Sequence, residues 1–172
     1  MKPSRFYLIA AVIILADQIT KWSVLRSLAL GETRPAIGSI LSLTYTRNTG
    51  GAFSLLQGGN YFFVAVALFA IGALIYAFTK FQRNDTAVAA ALALALGGAV
   101  GNLIDRLRFK FVVDFFDFHG WTNHNIWPIF NVADSAISVG IVLLAWNFLF
   151  TKGPKRLSEP AIENNSNEPV SS

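Results

Sequence analysis

The chain has 172 residues and a mass of 18.8 kDa, enough for one domain. Hydrophobic residues make up 53% and charged residues 14%, against about 25% charged in ordinary globular proteins. A soluble monomer this small has too much surface for so few charges, and disorder over most of the chain is excluded on the same ground. The net charge of +4 comes from basic residues scattered among apolar runs. That pattern favours membrane phosphates over nucleic acid as the anionic neighbour, and no nucleic-acid partner is expected.

The apolar blocks lie between widely spaced ionisable residues. Phe6–Ala16 is only eleven residues long and reaches spanning length if the helix continues through Asp17, Gln18 and Lys21 to about residue 25. Lys2 and Arg5 ahead of a short apolar run resemble a secretory signal peptide. The run ends in Asp-Gln-Ile-Thr-Lys rather than at a small-residue cleavage site, so a retained first helix over about 6–25 is the preferred reading. Ile40–Arg47 alternates and is rich in β-formers, which predicts a strand. Spans of roughly the 20 residues needed to cross hydrocarbon follow at about 61–79, 86–104 and 133–151. The connection Lys80–Asp85 between the second and third spans is a tight turn. Phe111–Phe118, aromatic and β-branched, is a second candidate strand. From Gly153 onward the chain is polar and rich in Pro, Asn and Ser, which predicts a disordered tail over 153–172.

The expected architecture is a mainly α integral membrane protein, with a four-helix domain over 1–152 and a small sheet on the outer surface. Four spans put both termini on one side. Seven basic residues fall on each side, but Lys2, Arg5, Lys80, Arg83, Lys152, Lys155 and Arg156 hug the helix ends and occupy short connections. Such residues mark the cytoplasmic side. Both termini and the tail are therefore expected in the cytoplasm, with segments of about 26–60 and 106–132 outside.

Asp17, Asp105, Asp114, Asp117 and Asp134 lie within or beside apolar segments, where a carboxylate costs about 2.5–3.5 kcal/mol at a helix centre. Asp17 stands four residues before Lys21, on the same helix face, and reads first as a structural ion pair. Asp105 precedes Arg106 and reads as pairing or helix-end anchoring. Asp117 sits in the second candidate strand, where solvation suffices. Asp114 has no basic neighbour beyond Lys110, and Asp134 none near in sequence. Asp134 also fits a helix cap. Two carboxylates forced together share a proton, leaving one as base on a water, as in aspartic proteases. The absence of cysteine excludes a thiolate nucleophile, a disulfide framework and a cysteine-ligated metal site. His119 and His124 are too few for most zinc sites. Ser54 and Ser135 have no evident activating His or Lys. Asn48, Asn102 and Asn131 can hold a peptide backbone or orient an aspartate, though Asn48-Thr-Gly-Gly also reads as a turn. Gly97 and Gly101 form a G-xxx-G step, read as helix packing.

The order Asp17-Gln-Ile-Thr-Lys21, Asn48-Thr-Gly-Gly-Ala-Phe-Ser54, Gly97-Gly-Ala-Val-Gly-Asn-Leu-Ile-Asp-Arg106, Val112-Val-Asp-Phe115 and Phe130-Asn-Val-Ala-Asp-Ser-Ala136 resembles the motif series of the signal peptidase II family, from about residue 6 to 150. The resemblance implies a membrane aspartic endopeptidase that removes signal peptides from diacylglyceryl-modified bacterial prolipoproteins. It implies cleavage just before the lipidated cysteine, without a cofactor if the dyad activates water. It assigns the catalytic dyad to Asp114 and Asp134, which spacing alone does not single out. Asn48, Asn102, Arg106 and Asn131 match supporting and substrate-contacting positions. Asp105 is expected to orient Arg106, and Asp17 and Lys21 to give structural support. The family also implies a surface sheet, a short surface helix, membrane lipids as neighbours and inhibition by the cyclic peptide globomycin. Gly51 departs from the family's usual alanine. The competing class, a four-span transporter or assembly subunit, predicts carboxylates spread through the bilayer depth. Here Asp105, Asp114 and Asp134 map to one edge.

Overall fold

The computed structural model describes residues 1–50, 59–81, 86–119 and 127–150. The first helix, α1 (Pro3–Ser27), starts at a proline in its first turn, where the missing N–H costs nothing. It runs without a break through Asp17, Gln18 and Lys21. Phe6, Ala10, Asp17, Lys21 and Val24 are its buried residues, a helical spacing that puts them on one face. Leu8, Leu15 and Ile19 are exposed. The hydroxyls of Thr20 and Ser23 are satisfied inside the helix, by Ala16 O at 2.8 Å and Ile19 O at 2.9 Å.

Then come β1 (Thr33–Ile37), β2 (Leu41–Asn48), α2 (Gly59–Phe81), α3 (Thr86–Phe109), β3 (Val112–Phe118) and α4 (Val132–Phe150). All four helices are long and apolar enough to cross a membrane. The strand expected over Ile40–Arg47 is β2, and that over Phe111–Phe118 is β3. β1 carries no sequence signal: every residue is exposed and Pro35 interrupts it, which suits an edge strand. α3 runs to Phe109, past the block ending at 104, so Asp105 and Arg106 are helical. Lys110, at φ 65°, then reverses the chain into β3, and its N–H closes on Arg106 O at 3.1 Å. The tail 153–172, most of the turn after Lys80 and any short surface helix within 51–58 or 120–126 fall outside the described residues.

α3 is the centre of the molecule: α1, α2 and α4 all pack on it, and α1 also touches α4. Its small residues make this possible. Gly97 faces α1, where a Cβ would stand 2.7 Å from Ile13 Cβ and 2.9 Å from Ala10 O. Gly98 faces the Ala133 carbonyl of α4, and Gly140 of α4 returns the contact, with a Cβ position 2.7 Å from Ala91 O. Without a hydrophobic drive between helices in lipid, close backbone approach is what holds such a bundle. An apolar cluster of Phe6, Ala10, Phe78, Ala89, Leu92, Ala93 and Leu96 joins α1, α2 and α3, with Phe6 and Phe78 stacked at 3.6 Å between ring centroids.

The strands form one antiparallel sheet in the order β1-β2-β3. It packs on the end of α1 through Val24, Leu28, Tyr45, Val113 and Phe115. The β2–β3 register slips between Leu43 and Thr46, so Thr44 and Tyr45 together oppose Phe115. Phe130 pairs with Phe116 through hydrogen bonds of 2.7 and 3.1 Å, which brings the start of α4 against β3.

The glycine contacts give a paired prediction. Gly140→Ala should destabilise the protein by about 1–3 kcal/mol, because a backbone must move to admit the methyl group. Gly72→Ala, with nothing within 4 Å of the added Cβ, should be tolerated. Thermal unfolding in one detergent, compared between the two variants, checks this.

Candidate active site

The site is assembled at the C-terminal end of α3, the start of β3 and the N-terminus of α4. Asn131 is the residue before α4 and acts as its cap. Its Oδ1 accepts the Asp134 N–H at 2.9 Å, and Asp134 Oδ2 reaches back to the Asn131 N–H at 3.3 Å. This reciprocal arrangement is a capping box, so the cap reading of Asp134 is correct as far as it goes. The other oxygen, Asp134 Oδ1, accepts a 2.7 Å hydrogen bond from Asn102 Nδ2 of α3.

Asp114 and Asn131 are 1% and 0% exposed, and their contact is short: Asn131 Nδ2 donates to Asp114 Oδ1 at 2.6 Å. The same Nδ2 lies 3.3 Å from Val113 O and 3.2 Å from Asn102 Oδ1. One buried asparagine therefore contacts both carboxylates. Burial and, secondarily, the charge of Asp134 push the Asp114 carboxyl up to about 7, against the pull of hydrogen bonds from Asn48 and Asn131 and the charge of Lys21. Asp114 also borders an open cleft of about 340 Å³ lined by Thr46, Arg47, Asn48, Thr49 and Ile129.

Asn48 combines its two readings. Its Oδ1 accepts the Gly50 N–H at 2.9 Å, an Asx turn, while its side chain also hydrogen-bonds Asp114. Gly50 has φ 106° and lies so close to the Phe63 ring that a Cβ would collide with it. The Arg106 guanidinium stands 4.4 Å over the other partner of this contact, the same Phe63 ring, and Arg106 O accepts from Asn60 Nδ2 at 3.3 Å. Arg106 Nη1 is buried and has no hydrogen-bond partner among the described residues. It is within electrostatic reach of Asp114, Asp134 and, more weakly, Asp105.

Asp105 departs from expectation. Its hydrogen-bonded partners are Lys21 Nζ at 3.0 Å, Gln18 Nε2 at 3.1 Å and the Val113 N–H at 3.0 Å. Arg106 is not among them: consecutive helical residues point in different directions, and Asp105 faces α1 while Arg106 faces Phe63 of α2. Asp17 and Lys21 form the expected pair at 2.9 Å. Asp17 also accepts the Ala133 N–H at 2.9 Å, which satisfies a free donor in the first turn of α4. Gly101 leaves room for this carboxylate, since a Cβ there would be 2.6 Å from Asp17 Oδ2. The Gly97–Gly101 step is thus a packing device against α1.

The remaining candidates fall away from the site. Asp117 is buried rather than solvated: its Oδ2 accepts from Thr44 Oγ1 at 2.7 Å and lies 3.6 Å from His119 Nε2. Ser135 Oγ donates to Asn131 O at 2.9 Å as a helix-terminal residue. Ser54 and His124 lie outside the described residues, among which no group of three or more potential ligands could hold a metal. Sequence reasoning gave no separate weight to Gln18, Asn60 or Phe63. Gln18 carried the one available signal, a polar side chain inside an apolar span.

A family model described as signal peptidase (SPase) II matches residues 9–150. A lipoprotein signal peptidase of Geobacter metallireducens is 45% identical over 154 residues, covering 87% of this chain and 94% of the relative. One of Shouchella clausii is 45% identical over 143 residues, covering 83% and 91%. A solved bacterial membrane enzyme structure superimposes with a TM-score of 0.81 at 32% identity, over 87% of this chain and 95% of that one. On a family match over residues 9–150 and relatives 45% identical over most of both chains, the chain belongs to the signal peptidase II family of membrane peptidases.

Proposed function

We propose that this chain removes signal peptides from lipid-modified prolipoproteins by an aspartic mechanism, with Asp114 and Asp134 as the catalytic dyad. The observation that carries the reading is Asn131, buried and bonded at once to Asp114 at 2.6 Å and to Asp134 at 3.3 Å. Carboxylates held this near each other share a proton. Asp114, the more buried, holds that proton, and Asp134 acts as base. Asp134 takes a proton from water as the oxygen attacks the scissile carbonyl carbon. Asp114 gives its proton to the carbonyl oxygen. When the tetrahedral diol collapses, the C–N bond breaks as Asp134 gives its proton to the amine nitrogen, and one diol hydroxyl returns its proton to Asp114, which restores the pair. Neither a metal nor a cofactor enters these steps.

The cut falls just before the diacylglyceryl-modified cysteine. Arg106, with a donor unpaired among the described residues and a planar fork, meets a substrate carbonyl or a lipid phosphate beside the dyad. Asn48 holds the substrate backbone at the cleft. Globomycin competes for the same place. The apolar helices support a site at the bilayer edge, which can receive both the signal helix and the acyl chains from lipid. In a bacterial inner membrane both termini are cytoplasmic and the dyad faces outward, in keeping with the basic residues that flank the short connections.

Cleavage of a lipidated prolipoprotein by the purified protein tests the dyad. Asp114→Asn and Asp134→Asn should each abolish it, and the double variant should be little worse than either single one, because the pair acts as a unit. Full activity in either single variant refutes the mechanism.

The raised Asp114 carboxyl has a consequence for stability. Between its ordinary 3.8 and about 7 this group binds a proton in the folded chain but not in the unfolded one. Its contribution to stability is therefore greatest at low pH and declines as pH climbs through that window. Asn has no proton to lose. Asp114→Asn should raise thermal stability at pH 8, by up to about 4 kcal/mol, and the advantage should vanish towards pH 4. Melting curves of both proteins at the two pH values measure it.

Orientation is tested by single cysteines in this cysteine-free chain. One at Asn123 should react with an impermeant thiol reagent applied outside the cell, and one at Thr86 should not. Labelling of Thr86→Cys from outside would reverse the topology.

A further inference from the structure

Lys21 is 2% exposed, and its ammonium makes three contacts: Asp17 Oδ2 at 2.9 Å, Asp105 Oδ2 at 3.0 Å and Asn102 Oδ1 at 2.9 Å. An ammonium has three donors and no acceptor, so all its capacity is used. The two carboxylates alone more than neutralise it. The third contact goes to a neutral amide, and it has a directional effect. Because Lys21 can only donate, the Asn102 atom facing it is the oxygen. Asn102 Nδ2 then points the other way, where it lies 2.7 Å from Asp134 Oδ1.

A second amide meets the same oxygen. Asn131 Nδ2 stands 3.2 Å from Asn102 Oδ1 and 2.6 Å from Asp114 Oδ1. Its own oxygen is occupied by the Asp134 N–H at 2.9 Å. Both asparagines thus present N–H groups to the carboxylates: the Asp134 N–H sets the sense of Asn131, and Lys21 sets that of Asn102. An unpinned Asn102 amide turned by 180° would set its oxygen against Asp134, acceptor against acceptor.

We propose that Lys21 is a positioning residue for peptide hydrolysis: it fixes Asn102 as a donor to Asp134 and so keeps Asp134 the base of the pair. The inference rests on the aspartic reading of the dyad. The charged groups around this path are Asp17 on α1, Asp105 and Arg106 on α3, Asp114 on β3 and Asp134 on α4. Lys21 also acts on Asp114 through space, drawing its carboxyl back towards the ordinary range against the larger effects of burial and Asp134. Loss of the ammonium therefore shifts proton release from the pair to higher pH. An ion pair that only held helices together would change stability and leave the chemical step alone.

The test compares kcat, KM, pH profile and melting temperature for Lys21→Met, Asn102→Ala and their combination, on a lipidated prolipoprotein substrate. Lys21→Met keeps volume and removes every donor. It also strands two carboxylates, so Asp17→Asn/Lys21→Met is made alongside it. Asp105 then retains Gln18 and the Val113 N–H. The expected result is a fall in kcat of about tenfold or more with KM nearly unchanged, and a pH profile displaced upward by about one unit. In the Asn102→Ala background, Lys21→Met should lower kcat at its pH plateau no further, since the path is already cut, and should still displace the pH profile. A folded Lys21 variant with normal kcat and pH profile overturns the proposal, as do losses that multiply in the double variant. If neither Lys21 variant folds, Asn102→Asp decides. It keeps an acceptor for Lys21 and removes the donor to Asp134, so unchanged kcat overturns the proposal and a loss of about tenfold supports it. Asp114→Asn run in parallel separates the two claims: if that variant cleaves, the dyad reading itself has failed.

Discussion

A buried ammonium holds together the end of the bundle that carries the paired carboxylates. Lys21 contacts two carboxylates and an amide within 3.0 Å, and the carboxylates have further work. Asp17 accepts the Ala133 N–H at the start of α4, and Asp105 accepts the Val113 N–H at the start of β3. The three elements that carry Asn102, Asp114 and Asp134 are thereby referenced to one charged cluster between α1 and α3. Burying three charges is expensive unless each is paired and hydrogen-bonded, and here the remaining lone pairs are taken by Gln18 and the two backbone N–H groups. Breaking one member leaves the others uncompensated, which makes the cluster rigid as well as costly.

Such a cluster needs the helices to be close. Lipid offers no hydrophobic drive for helix association, so contact depends on shape, and α3 supplies it with Gly97, Gly98 and Gly101. Gly101 has a double effect. It admits α1, and the space where its side chain would be holds the Asp17 carboxylate. Packing and electrostatics are the same event at that position.

The paired carboxylates show the opposite bias, towards instability. Asp114 is buried beside a second carboxylate with its carboxyl pushed up to about 7, so above that pH its burial works against folding. Asn131 shows how little extra structure this requires. The capping box that starts α4 also presents Asp134 to Asp114, so a local device for helix initiation doubles as the frame of the site.

The sequence by itself determined the membrane class, the four helices and two of the three strands, because these follow from runs and alternation of apolar residues along the chain. It also marked Asp114, with only Lys110 near it, and Asp134, with no basic neighbour in sequence, and the resemblance of the motif series chose them from among five. It did not reveal β1, an exposed edge strand with no alternation to read. It could not show that Asp117 is buried, or that Asp105 turns to Lys21 rather than to the adjacent Arg106. Those outcomes were decided by tertiary structure alone. Periodicity reports which face of an element is apolar, whereas a polar side chain's partner depends on which other element is packed against that face. Lys21 and Asn102 are 81 residues apart, and only the approach of α1 to the glycines of α3 brings the ammonium to the amide.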